Sequence, residues 1–199
     1  LLSIYHEILR KSVHLSSSVI VIFFYFYGKN ITLQILLPLT VLFIFLDFLR
    51  IRNQILGEMY NYLFNSITRE TESHSLTGAS YVLLSYSLII FFFSEEIAIP
   101  ALLVMSISDS IAALIGRPYG FIRIKDKTLE GSIGFFLSSV IIILLFKLNL
   151  VAGILSCLIS TITELSAPKK INDNLLIPIS FSVSYILILK MLFLLGWSV

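Results

Sequence analysis

The chain has 199 residues, of which 57% are hydrophobic and only 13% charged, with a mean hydropathy of +0.97. A soluble domain is about 25% charged, so the composition excludes a water-soluble globule and places the chain in a bilayer. The net charge of +2 points to no nucleic acid. The single cysteine, Cys157 in an apolar run, excludes an intramolecular disulfide and reads as packing.

A membrane span needs about 20 mostly apolar residues. In chain order the hydropathy pattern predicts seven: about Ser12–Tyr27, Leu33–Phe48, Ala79–Phe93, Ile97–Ile115, Ser132–Phe146, Leu150–Thr163 and Leu175–Gly196. Several are short, so their polar ends are expected at the interface or lining a cavity. The chain opens LLSIYHEILRK without methionine, as expected of a trimmed terminus. Val13 to Tyr27 is not a cleavable signal, since no small-residue cleavage site follows it. Between the second and third spans, Ile55, Met59, Leu63 and Ile67 recur every four residues among polar neighbours. That stripe predicts an amphipathic helix on the membrane surface. With no soluble-sized polar block anywhere, residues 1–199 read as one all-α, polytopic membrane domain.

Charge sets the expected orientation. Eleven Lys and Arg (Arg10, Lys11, Arg50, Arg52, Arg69, Arg117, Arg123, Lys125, Lys127, Lys169 and Lys170) fall on one side of this parse and three (Lys29, Lys147 and Lys190) on the other. The positive-inside rule puts the N-terminus in the cytoplasm and the C-terminus outside. Glu7, Asp47, Asp109, Glu130, Glu164 and Asp173 also sit at or near cytoplasmic span ends. Asp109 lies six residues before Ile115, about 9 Å along a helix, and therefore below the surface. An aspartate there costs about 2.5–3.5 kcal/mol on insertion scales. Acids gathered from separate helices at one depth point to an intramembrane site open to the cytosol.

Four polar stretches carry that site. In LLVMSISDSIAALIGRPYGF, Ser106, Ser108 and Ser110 flank Asp109 with a polar wall, suited to a metal or proton site or to one basic partner fixing helix packing. The following GRPYGFIRIKDKTLEGS sets Gly116, Gly120 and Gly131 among Arg117, Arg123, Lys125 and Lys127. Glycines admit an oxyanion close to the backbone, free N–H groups cradle phosphate and cations neutralise it. The Walker spacing is absent, and Thr128–Glu130 is one residue too short for a capping box. Glu130 beside so much positive charge reads as a ligand for a phosphate-bound cation, and Mg²⁺ takes one or two carboxylates plus phosphate oxygens. In TELSAPKKINDNLLIP, Asn172 or Asp173 reads either as the N-cap of the last span or, after Lys169 and Lys170, as part of a metal and phosphate site. Glu164 has no capping role. In EILRKSVH, Glu7, Lys11 and His14 share a helical face, which also fits a snorkelling helix end with one ion pair. The histidines and the cysteine lack zinc-ligand spacing.

EILRKSVH, DFLR (Asp47–Arg50), LTGASY (Leu76–Tyr81), DSIAALIGRPYG (Asp109–Gly120), KTLEGS (Lys127–Ser132) and NDNLLIP (Asn172–Pro178) together resemble the polyprenol kinase family. That family takes in dolichol kinase, phytol kinase and the CTP-dependent diacylglycerol kinase, and is more distantly similar to the phosphatidate cytidylyltransferases. DSIAALIGRPYG followed by KTLEGS is the specific pair, and the chain looks like the compact catalytic core. The resemblance implies transfer of the γ-phosphate of a nucleoside triphosphate, typically CTP, to the hydroxyl of a membrane lipid alcohol, a prenol or diacylglycerol. On this reading Asp109 and Asp173 hold Mg²⁺ with Glu130 as a further ligand. Arg117, Lys125, Lys127, Thr128, Lys170 and Asn174 bind the phosphates, Gly116, Gly120 and Gly131 shape the loops, and Glu164 or His14 orients or deprotonates the acceptor hydroxyl. A cytidylyltransferase would use the same nucleotide and metal and release pyrophosphate. An ion-coupled transporter would use Asp109 as a coupling site, with access from both sides. A membrane scaffold would need no Gly-Arg-Lys loop beside an acid.

Overall fold

In a bilayer every backbone N–H and C=O must be satisfied within the protein, which favours helices. The computed structural model describes residues 4–64, 75–167 and 172–197, without the side chains of residues 4, 5 and 7, and it is helical nearly throughout. In chain order it contains α1 (Ile4–Ser16), α2 (Ser18–Arg52), α3 (Gln54–Phe64), α4 (Gly78–Phe92), α5 (Glu95–Leu103), a π-helical turn (Val104–Ser108), α6 (Asp109–Tyr119), strands β1 (Arg123–Ile124) and β2 (Lys127–Thr128), α7 (Leu129–Leu145), α8 (Leu150–Ser166) and α9 (Asp173–Leu194).

Three helical runs are long and apolar enough to cross a membrane, Ile8–Arg52, Glu95–Tyr119 and Asp173–Leu194, while Gly78–Phe92, Leu129–Leu145 and Leu150–Ser166 are apolar but shorter. The first run is not one rod. Gly28 has φ 72° and ψ 177°, a left-handed conformation that glycine adopts without steric cost, so the chain turns within the expected GKN connection.

Contacts across the bundle define its two ends. Lys29 Nζ donates to the Phe91 carbonyl oxygen at 2.6 Å, and Glu95 Oε1 lies 3.6 Å from where a Cβ on Gly28 would sit. The Gly28 turn, the end of α4 and the start of α5 therefore share one end. From there the second arm of α2 descends to Asp47 and Arg50, which meet the start of α4 through Thr77 and Ser75 at the opposite end. Inside, Phe24, Tyr86, Leu102, Met105, Phe135, Ile143, Ile177 and Phe181 are fully buried in one core. Phe26, Val41, Leu145, Leu187 and Phe193 form an apolar exterior.

The all-α expectation holds for the bundle, whose one departure is a short antiparallel hairpin in which β1 and β2 pair Arg123 with Thr128 and Ile124 with Lys127. One expectation is corrected: the glycine-rich segment does not open as a loop at Gly116, because α6 continues to Tyr119. The amphipathic stripe is helical over Gln54–Phe64, with Ile55, Met59 and Leu63 exposed. Ile67, the fourth residue of the stripe, lies outside the described residues.

Candidate functional site

Asp109 opens α6 directly after the π-helical turn and is 2% exposed. A buried charge needs partners, and α1 supplies them. Lys11 Nζ donates to Asp109 Oδ2 in a buried ion pair, and His14 Nε2 lies 3.4 Å from the same oxygen. His14 Nε2 is also 3.1 Å from the Met105 carbonyl oxygen. Since a carbonyl oxygen only accepts, Nε2 carries a proton and donates there. One turn deeper, Ser18 Oγ and Ser106 Oγ are 2.9 Å apart, and Ser110 Oγ donates to the Ser106 carbonyl at 2.6 Å.

The hairpin brings a second cation to the cluster. Lys127 Nζ donates to Glu164 Oε1 at 2.5 Å and to Asp173 Oδ2 at 3.4 Å, and Ser132 Oγ donates to Glu164 Oε2 at 3.4 Å. Glu164 comes from near the end of α8, and Asp173 is the first residue of α9, where the helix dipole favours an acid. Burial pulls the Lys127 ammonium down. The carboxylates of Asp109, Asp173 and Glu164 outweigh that and hold its pKa above the usual lysine value. Glu164 is 2% and Lys127 31% exposed at the side chain, so the cluster runs from the dry interior to a lysine that solvent reaches. Lys11, Asp109, Lys127, Glu164 and Asp173 thus gather at one end from α1, α6, β2, α8 and α9.

The other expected site residues make contacts of their own within the fold. Thr128 is the N-cap of α7, its Oγ1 accepting from Gly131 N–H at 3.2 Å. Gly116, Gly120 and Gly131 are packed closely against neighbouring protein atoms. A Cβ on Gly116 would sit 2.6 Å from Thr128 Oγ1, on Gly120 2.2 Å from the Gly116 carbonyl oxygen, and on Gly131 2.7 Å from the Ala112 carbonyl oxygen. These glycines let α6 press against the hairpin and α7. Glu130, expected as a metal ligand and among the catalytic residues, accepts from Ile122 N–H at 3.2 Å and ties the hairpin to α7. Among the described residues no three His, Cys, Asp or Glu side chains form a metal cage. Arg117 is exposed at the end of α6, and Lys125 is exposed at the hairpin turn with φ 57°. Lys170 lies outside the described residues. Asn174 is buried in the first turn of α9, its N–H bonded to Asn172 Oδ1 at 3.0 Å, so Asn172 is the N-cap of that helix.

The partner of Asp109 was not legible in the sequence. Lys11 and His14 were visible on one helical face, but 98 residues separate Lys11 from the acid it neutralises. A buried acid's need for a counter-charge was the available signal. Also missed was the closed network at Asp47. Its Oδ2 accepts from Thr77 N–H at 2.7 Å, Thr77 Oγ1 at 2.9 Å and Ser80 Oγ at 2.6 Å, while Arg50 Nε lies 3.3 Å from Oδ1. DFLR and LTGASY, distant in sequence, are thereby one structural unit.

Comparison with known proteins finds relatives of two kinds, uncharacterized proteins of similar length and longer fungal kinases. The chain is 30% identical over 185 residues to the uncharacterized protein RP860 of Rickettsia prowazekii, covering 88% of this chain and 91% of that one. It is 32% identical over 188 residues to the uncharacterized protein MJ1137 of Methanocaldococcus jannaschii, covering 91% and 92%. It is 33% identical over 142 residues to CTP-dependent diacylglycerol kinase 1 of Saccharomyces cerevisiae, covering 68% of this chain and 49% of that enzyme. Against the Schizosaccharomyces pombe enzyme of the same name the identity is 28% over 141 residues, covering 68% and 64%. The chain thus spans about half to two thirds of the length of the yeast enzymes. No family model and no solved structure matches it.

Proposed function

This chain belongs to one protein family with its Rickettsia prowazekii and Methanocaldococcus jannaschii relatives, and from its kinship with the yeast kinases and the geometry of the site we propose that it is a membrane-embedded lipid-alcohol kinase. The proposed reaction moves the γ-phosphate of CTP to the hydroxyl of a diacylglycerol or prenol. The observation that carries this reading is the gathering of three carboxylates and two lysines from five elements around a lysine that solvent reaches. A water-borne triphosphate and a bilayer-borne hydroxyl must meet at one depth, and this cluster joins the two environments.

Phosphoryl transfer asks mainly for positioning and charge neutralisation. Mg²⁺ fits the donor chemistry, since Asp109 and Asp173 are hard oxygen ligands on different helices that both act on the Lys127 ammonium, and Mg²⁺ takes one or two carboxylates plus phosphate. They would hold the ion, which would supply neutralisation of phosphate charge. Lys127 and Lys11 neutralise further phosphate charge, with Arg117 and Lys125 at the water-exposed rim. Glu164 accepts the hydroxyl proton as the acceptor oxygen bonds to the γ-phosphorus, the bond to the bridging oxygen breaks and CDP departs. From the charge asymmetry of its loops, the chain is proposed to span the membrane seven times, with its N-terminus and site in the cytoplasm and its C-terminus outside.

Purified protein in liposomes with Mg²⁺ and γ-labelled CTP is expected to label diacylglycerol or a long-chain prenol, with EDTA abolishing transfer. Transfer of α-label with release of pyrophosphate would establish cytidylyl transfer instead. Absence of both transfers, with every acceptor and with ATP as donor, would overturn the enzyme reading.

A further inference from the structure

The five-residue π-helical turn Val104–Ser108 ends where Asp109 begins. Such turns insert an extra residue into a helix and recur at functional sites. With 3.6 residues per turn, one inserted residue rotates everything after it by about 100° relative to an unbroken helix. The face on which Asp109 stands is therefore set by this turn. A wider turn also loosens the regular bonding of backbone carbonyls, and one of them, at Met105, is taken by a side chain from another helix, His14. Ser18 grips the same turn through Ser106. Both gripping residues follow Lys11 within two helical turns of chain, His14 on the same helix and Ser18 at the start of the next.

We infer that His14 is a positioning residue: its Nε2–H clamps the Met105 carbonyl, holds the π-helical turn, and so keeps the Asp109 carboxylate aimed at Lys11 and the rest of the cluster. The assignment rests on the kinase reading for its kinetic consequence, although the clamp itself does not. It also separates His14 from Glu164 as the group that takes the acceptor proton, because the Nε2 facing the site already carries a proton and spends it on a carbonyl. A displacement of about 1 Å in a reacting group can cost 10²-fold in rate, so a clamp far from the phosphorus still governs turnover.

The test compares His14→Gln, whose amide NH₂ can donate where Nε2–H does, with His14→Leu, which cannot donate. His14→Leu is expected to lose kcat by at least about tenfold with the CTP KM changed by less than about threefold. His14→Gln is expected to keep most of kcat and the wild-type pH–rate profile. If His14→Gln is as inactive as His14→Leu, or loses one limb of the profile, His14 is a proton-transfer group and the inference fails. It fails equally if His14→Leu matches wild type. A second measurement needs no turnover. With Lys11→Cys, Asp109→Cys and Cys157→Ser combined, a short bifunctional thiol reagent is expected to cross-link positions 11 and 109 efficiently in the His14 and His14→Gln backgrounds and poorly in His14→Leu. Equal cross-linking in all three would overturn the clamp even if the protein proved not to be a kinase. Should His14→Leu not fold, deletion of Ile107, which removes the extra residue while leaving His14 in place, takes its role in both assays with the same expected losses.

Discussion

Two buried aspartates in this protein, Asp47 and Asp109, each have a cation beside them, yet their surroundings are unlike. Asp47 is closed: one oxygen caps the start of α4 through the Thr77 N–H and two hydroxyls, and the other faces Arg50 within the same helix. Arg50 in turn donates to the Ser75 carbonyl and lies over the Tyr60 ring. Each of these partners belongs to α2, α3 or the start of α4, and a cap with its counter-ion is enough to account for them. Asp109 belongs to a larger set in which three carboxylates face two lysines drawn from five elements. That set reaches water through Lys127. The difference separates a buried charge that fixes helix packing from one suited to receiving a ligand.

The sharpest way to break this contrast is to neutralise each acid with its near-isostere. Asp109→Asn is expected to fold and to lose at least about 10²-fold in turnover, since one preorganised electrostatic contact is worth about 3–4 kcal/mol in the transition state. Specific activity per folded molecule, with folding checked by melting temperature and size-exclusion profile, measures it. Near wild-type turnover from a normally melting Asp109→Asn would place Asp109 with Asp47 as a packing residue.

Asp47→Asn is expected to do the reverse. Removing one partner of a buried pair leaves the other uncompensated, at a cost of about 3–5 kcal/mol, and this should appear as a fall in melting temperature with activity per folded molecule kept within about twofold. A stable variant that has lost turnover would mean that the Asp47 network takes part in the chemistry.

The smallest effect concerns the hairpin, where two lysines stand two residues apart. Lys127 is held above the usual lysine pKa by carboxylates that outweigh its burial, whereas Lys125 is exposed at the turn. Because the folded value is raised, the stability Lys127 contributes is fully present below the ordinary 10.5 and is lost only as pH rises through the raised value. An amine-reactive reagent applied at about pH 9, where an ordinary lysine already has some free amine, is expected to modify Lys125 and spare Lys127, as read by peptide mass. Equal modification of the two would show that Lys127 is not held in the carboxylate cluster.

Much of this was legible in the residues because the signals were local sums or energetic anomalies. Asp109 stood out because an aspartate inside an apolar helix is expensive, and the cap of the last span was narrowed to Asn172 or Asp173, of which the structure uses Asn172. The glycines were readable only halfway. Gly116, Gly120 and Gly131 announce that something approaches the backbone closely, but an oxyanion and a neighbouring helix make the same demand of sequence. Glu130 was readable only halfway for a related reason: an acid among basic residues reads as a metal ligand, and only the fold shows that its carboxylate accepts from the Ile122 N–H.

The sequence by itself determined that this is a helical membrane protein, the order of its apolar segments, the break at Gly28 and the acids that needed an explanation. Hydropathy and spacing are properties of a few neighbouring residues, and a bilayer enforces them directly. Tertiary structure decided that Lys11 and His14 meet Asp109, that Lys127 bridges Glu164 and Asp173, and that Asp47 and Thr77 close a cap. Those meetings depend on how each helix is rotated about its axis. Each residue advances that rotation by about 100°, so a single inserted residue, such as the one in the π-helical turn before Asp109, changes which side chains face one another while leaving the hydropathy pattern almost untouched.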